Sequence, residues 1–189
     1  WASVHEVAGT SHLVYQLLGP ARDKLTIRKF LRAAEGAGGA SVPHGLGISS
    51  YALHPSGTAC LVTAYPGDLG GVTTLRRHVQ GKGGRLGVAE VVRAIEHLID
   101  AFASGDQRGK LHGAIDLDGC VVDRGGRVAI ELFGFGAHWA GTAADHQRLH
   151  AEQRRALGCV VRTLLQGETS SSVGSAPGAA CSDVWQSWL

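Results

Sequence analysis

Methionine is absent from the 189-residue chain, even at position 1, and aromatic residues make up only 6% of it. The missing initiator residue leads us to expect a domain cut from a longer protein. No run of about 18 apolar residues occurs, so no segment is expected to cross a bilayer, and the N-terminus lacks the basic-then-apolar layout of a secretion signal. Charge is nearly balanced at +2, with the basic residues scattered. That distribution offers no electrostatic stripe for nucleic acid or an anionic membrane surface. Cys60, Cys120, Cys159 and Cys181 are far apart and form no C-x-x-C pair, which predicts buried reduced thiols rather than disulfides or zinc. The ten histidines are expected to form neither an H-x-x-x-H nor an H-E-x-x-H pair on one helical face, so no metal site is expected.

What is present is ordinary globular composition: 44% apolar residues and a mean hydropathy near zero, enough to bury one or two modest cores. Short β-prone runs at Val4–Val7, Leu13–Leu18, Lys24–Phe30, Gly47–Leu53 and Ala59–Ala64 are separated by glycine and proline turn signals. Between the third and fourth, the alanine-rich stretch from Phe30 to Ala37 reads as one brief helix ended by Gly38-Gly39. From Val88 the pattern changes period. Val88, Val91, Val92, Ile95, Leu98, Ile99 and Phe102 recur at spacings of three and four, which predicts a long helix stopping near Gly105. Gly119–Val122 and Arg127–Leu132 flank a turn-rich spacer and read as a hairpin. A second long helix is signalled by Leu149, Ala156, Leu157, Val160, Val161, Leu164 and Leu165, ending at Gly167.

The order of strands around one helix, then a long helix, a hairpin and a buried helix, resembles that of protein kinases. Local sequence adds to the resemblance. Gly9-Thr10-Ser11-His12-Leu13-Val14-Tyr15 is similar to the second half of a kinase glycine-rich loop, although the full pattern would also place glycines at Val7 and His12. Leu25-Thr26-Ile27-Arg28-Lys29-Phe30 looks like the V-A-I-K strand, and Cys60 to Tyr65 looks like the strand entering the hinge. The stretch from Arg108 to Val122, R-G-K-L-H-G-A-I-D-L-D-G-C-V-V, resembles the bacterial kinase catalytic loop. Val128 to Gly134 resembles the strand leading into D-F-G, and Arg155 to Gly167 the kinase helix carrying L-G and L-L-x-G.

Under that resemblance the fold is α+β, a kinase-like two-lobe arrangement. Residues 1–66 form a small, mostly-β N-lobe, 67–167 a truncated, mainly α-helical C-lobe, and 168–189 a Ser/Gly/Ala-rich tail with an aromatic end. The register then places Ala114 where the catalytic base belongs, Gly119 at the magnesium-binding asparagine and Leu132 at the metal-ligating aspartate. Phosphoryl transfer relies on those carboxylate and amide oxygens for orientation and electrostatics, so no catalytic turnover is expected. Arg28 or Lys29 is the residual candidate for phosphate contact. With two glycines missing and Thr26 over the adenine position, no cofactor, ATP included, is expected to bind well. Asp116, Asp118 and Glu131 are the only nearby carboxylates that could stand in, and Glu131 should face away from the cleft.

The resemblance implies a pseudokinase that serves as a protein-binding scaffold. Among such proteins it is similar to the cytoplasmic pseudokinase of actinobacterial MurJ (MviN) type lipid II flippases. That likeness implies control of cell-wall precursor synthesis: an active Ser/Thr kinase phosphorylates a threonine, which recruits a forkhead-associated domain. Thr142 and Thr169 are the threonines considered. The expected location is cytoplasmic, as the cytosolic part of a membrane protein. The alternatives are a divergent nucleotide-dependent phosphotransferase, the kinase-like module of a lanthipeptide synthetase, and a nucleotide sensor without turnover.

Overall fold

A computed structural model of the protein describes residues 2–7, 10–16, 23–39, 42–55, 57–66 and 70–167. The architecture is α+β. Strands β1 (Ala2–Val7) and β2 (Thr10–Gln16) form a hairpin, helix α1 (Lys24–Ala37) follows, and β3 (Ile48–Leu53) and β4 (Ala59–Tyr65) complete an antiparallel sheet in the order β1-β2-β4-β3. Register is set by pairs such as Leu13 opposite Thr63 and Tyr15 opposite Leu61, which send Leu13, Tyr15 and Leu61 to the same buried face.

One expected strand is a helix instead. Residues 24–30 were expected to extend, but they form the first two turns of α1, so the order in this half is two strands, one helix, two strands. The physical reason is visible in the sequence. The Asp23 carboxylate accepts the Thr26 N–H at 2.8 Å and caps the helix. Phe30, Ala33, Ala34 and Ala37 are then buried at spacings of three, one and three, one helical face. Leu25, within the run expected to be a strand, is 78% exposed.

The second half begins with β5 (Thr73–Thr74) and α2 (Leu75–Gly81), which the periodicity did not announce. Helix α3 (Val88–Gln107) starts with the Glu90 carboxylate accepting the Gly87 N–H at 3.0 Å and taking Lys82 at 2.7 Å. Strands β6 (Cys120–Val122) and β7 (Val128–Ile130) form the expected hairpin, joined by β5 into a three-stranded antiparallel sheet. The Asp123 carboxylate accepts the Arg127 N–H at 2.9 Å across the turn. A short helix α4 (Phe135–Ala140) and the long α5 (His146–Gln166), capped by Asp145 and ended at Gly167, close the described chain.

Two cores result. In one, Phe30, Leu13, Tyr15 and Leu61 from the first sheet and α1 meet Val121, Ala129 and Leu132 from the second sheet and its following turn. In the other, α2, α3 and α5 pack around Ile115, Leu117, Ile130 and Phe133. The segment between α1 and β3 ties the halves together. The Leu46 N–H donates to the Ile130 carbonyl (2.8 Å), the Ile130 N–H to His44 (2.8 Å) and the Phe133 N–H to Leu46 (2.9 Å).

Candidate functional site

The loop from Leu111 to Gly119 runs between α3 and β6 with no regular secondary structure, yet it is held at almost every residue. Leu111, His112, Ile115 and Leu117 are buried. On α5, Gln153 lies on the face otherwise made by Leu149, Ala156, Val160 and Leu164. Its Oε1 accepts two loop amides, His112 N–H at 2.6 Å and Gly113 N–H at 3.2 Å. Buried backbone donors need such partners, and here one side chain supplies both. Asp116 Oδ1 accepts the N–H groups of Asp118 (2.9 Å) and Gly119 (2.8 Å), closing the loop into a tight turn.

The turn after β7 docks on this loop. Gly134 N–H donates to His112 Nδ1 at 3.1 Å, which fixes the imidazole as the Nε2–H tautomer. The His112 ring sits 5.3 Å from that of Phe133. Burial lowers the His112 pKa to about 4, so the ring is neutral. Phe133 is clamped between two glycines: a Cβ at Gly45 would come within 2.8 Å of its ring and one at Gly105 within 2.7 Å. Leu132 stands beside these contacts with φ +46° and is 5% exposed, its side chain packed into the first core.

Two tyrosines bridge the two sheets. Tyr15 on β2 donates its hydroxyl to Glu131 at 2.8 Å, and Tyr65 on β4 donates to Asp123 at 3.2 Å. Burial raises the Glu131 carboxyl to about 7, with the Tyr15 hydrogen bond opposing. Val121, from the second sheet, is buried against Leu13, Tyr15 and Leu61 of the first. A cavity of about 90 Å³ lies beside Ala114, lined by His112, Thr142, Leu149 and Glu152 among others. Sites for drug-sized ligands run to about 300–1,000 Å³.

His112, Phe133 and Gly134 meet through the contacts above, and Gly119 accepts the Glu131 N–H at 2.9 Å, while Ala114 packs against the helical core and Leu132 against the other. The structure does not bring Arg28 and Lys29 there. Both are exposed on α1, where Lys29 lies over the Trp139 ring at 4.7 Å. Asp118 pairs with Arg76 at 2.6 Å and Asp116 is occupied by its turn. Glu131 was expected to turn away from the cleft; it lies in the turn after β7, bonded to Tyr15 of the facing sheet. Thr142 is half-buried with its hydroxyl 3.4 Å from the Ala137 carbonyl, and Thr169 lies outside the described residues. Cys60, Cys120 and Cys159 are free; Cys159 is exposed on α5, not buried as expected, and Cys181 lies outside the described residues. His146 and His150 stand four apart on α5, but His150 pairs with Asp106 at 3.0 Å. No cluster of three or more metal-type side chains forms among the described residues.

Gln153, Tyr15 and Arg76 carry much of this geometry and were not singled out in the sequence. For Gln153 a signal existed: it is the one polar residue at a core position of the 149-153-156-160-164 stripe. No helix among the described residues is long and apolar enough to cross a membrane. Neither protein-family models nor curated proteins match the chain.

Proposed function

We propose that the protein is a catalytically inactive domain of kinase-like two-lobe design that acts as a protein-binding scaffold. The observation that carries this reading is Leu132. Its backbone lies at φ +46°, a left-handed conformation in which Asp and Asn are enriched and Leu is uncommon. Its neighbours keep the geometry a D-F-G turn needs, with Phe133 buried and the Gly134 amide on His112. An aliphatic side chain thus occupies a backbone suited to a metal-ligating aspartate, and it points into core.

Other features support the same reading. Ala114 offers no oxygen to a nucleophile and Gly119 none to a metal. Among the described residues no strand presents the nucleotide lysine, since α1 takes residues 24–37, Arg28 and Lys29 included. That is also the largest departure from the kinase pattern. The chain-order match, the helix-borne Gln153 anchor and the His112–Phe133–Gly134 cluster outweigh it.

The finer reading is a regulatory domain of the MurJ-flippase type that recruits a forkhead-associated partner through a phosphothreonine. Thr142 suits that role poorly, since its hydroxyl is already engaged. Thr169, just beyond α5, or a threonine elsewhere in a longer chain suits it better. Calorimetry with ATP, with and without Mg²⁺, tests the inactive assignment: no magnesium-dependent heat is expected. Tight magnesium-dependent binding abolished by Asp118→Ala overturns it. Affinity capture from the source cell, with and without phosphatase treatment, tests the scaffold role by recovery of a specific, saturable protein partner.

A further inference from the structure

A groove of about 620 Å³ lies away from the loop just discussed. It shares no lining residue with the cavity beside Ala114. Its walls come from the 42–49 segment, the end of β4 at Tyr65–Pro66, Arg108 after α3, and Arg127 with Ala129 on the β6–β7 hairpin.

We propose that this groove binds a small ligand that carries a phosphate or carboxylate on an apolar body. Volume is the first reason: about 620 Å³ falls within the ~300–1,000 Å³ of small-molecule sites. Charge is the second. Among the described residues, Arg108, Arg127 and His44 line the groove and no Asp or Glu does, while Val42, Leu46, Ile48 and Ala129 supply apolar wall. Of the carboxylates near these residues in sequence, Asp123 already accepts the Tyr65 hydroxyl and the Arg127 amide, Glu131 accepts the Tyr15 hydroxyl and Asp106 pairs with His150.

The third reason is an unmet donor. Arg127 Nε is buried and has no hydrogen-bond partner within the protein. Leaving such a donor unsatisfied is costly, more so when it is charged, and an oxyanion in the groove removes that penalty with a charge-assisted bond. The fourth is preorganisation. His44 sits at φ +56°, an uncommon conformation for a residue other than glycine. It is held there by its Nδ1–H on the Val128 carbonyl at 3.0 Å and by stacking on His97 at 3.8 Å. Non-glycine residues fixed in sparsely populated backbone regions cluster at ligand sites.

Phenyl phosphate is the probe, with inorganic phosphate, benzoate and phenol as comparisons. Saturable calorimetric binding of phenyl phosphate is expected, at least tenfold tighter than inorganic phosphate, with no binding of phenol. A comparable affinity for benzoate assigns the site to carboxylates as well as phosphates; its absence assigns it to phosphates. Arg127→Gln should weaken phenyl phosphate at least tenfold, and the exposed Arg108→Gln should weaken it severalfold without touching the core. If Arg127→Gln fails to fold, Arg108→Gln and chemical-shift changes at His44 and Tyr65 decide. Absence of saturable binding at millimolar phenyl phosphate, or binding unchanged in Arg108→Gln with no shifts at His44 and Tyr65, overturns the proposal and leaves water as the Arg127 partner. The inactive-kinase reading stands or falls separately, because its test reads magnesium dependence at Asp118.

Discussion

Tyr15 and Glu131, 116 residues apart, meet through a 2.8 Å hydrogen bond that joins the first sheet to the turn after β7. The hydroxyl donates, and the carboxylate it reaches is largely shut off from solvent. Together with Tyr65 on Asp123 and the shared burial of Val121 and Leu13, it ties the two sheets together. A domain whose cleft is bridged in this way is suited to presenting a fixed surface.

Removing that donor exposes how much the bridge contributes. Tyr15→Phe keeps the ring and its packing but leaves Glu131 without its partner. Stability should fall by about 1–3 kcal/mol. The loss should be larger at pH 8, where the carboxylate is charged, than at pH 5, where it is protonated. Urea unfolding of both proteins at the two pH values measures it; an equal loss at both contradicts the role given to Glu131.

Glu131 and His112 also set opposing pH dependences. His112 has its pKa lowered from 6.5 to about 4 by burial, so folding favours its neutral form. Its contribution is fully present above pH 6.5 and is lost as pH falls toward 4. Glu131 has its pKa raised from 4.5 to about 7, chiefly by burial, so folding favours its protonated form. Its contribution is fully present below pH 4.5 and is lost as pH rises through 7. Each shift corresponds to about 3 kcal/mol, and between about pH 4.5 and 6.5 the two slopes nearly cancel. Glu131→Gln should therefore reveal a stability that climbs with pH over that window. His112→Asn, whose amide oxygen can replace Nδ1 as acceptor, should reveal one that declines. Denaturant midpoints across pH 4.5–7 distinguish these outcomes from two parallel curves.

Much of the fold was legible because its signals were local. Helix α3 announced itself through spacing, α5 through its apolar stripe and Gly167, and the β6–β7 hairpin through Asp123 to Gly126. Helix α1 was half missed because Leu25 and Ile27 alternate like a strand, while the deciding signals were the Asp23 cap and the Phe30-Ala33-Ala34-Ala37 face. Short α2 and α4 have too few residues for a period to show; α4 lies between Gly134 and Gly141, both at positive φ. At the site, Arg28 and Lys29 were placed by analogy with a strand over 24–30, where the chain is helical. Tyr15–Glu131 and Gln153–His112 link residues 116 and 41 positions apart, and no local pattern encodes such pairs.

Gln153 gives the sharpest test of what holds the 111–119 loop. A leucine there would suit the apolar face of α5 and, by hydrophobicity alone, should stabilise it. It would also strand the His112 and Gly113 N–H groups that Oε1 now accepts at 2.6 and 3.2 Å. Two buried donors without partners cost about 2–6 kcal/mol, against about 1.5–3 kcal/mol from burying the leucine side chain, so a net loss is expected. Gln153→Glu retains an acceptor for both amides, and an ionised one bonds them more strongly. Thermal unfolding should thus rank wild type and Gln153→Glu above Gln153→Leu. Hydrogen exchange at His112 and Gly113 should accelerate only in the leucine variant. If Gln153→Leu is as stable as wild type with both amides still protected, the loop is held by Ile115 and Leu117 packing instead.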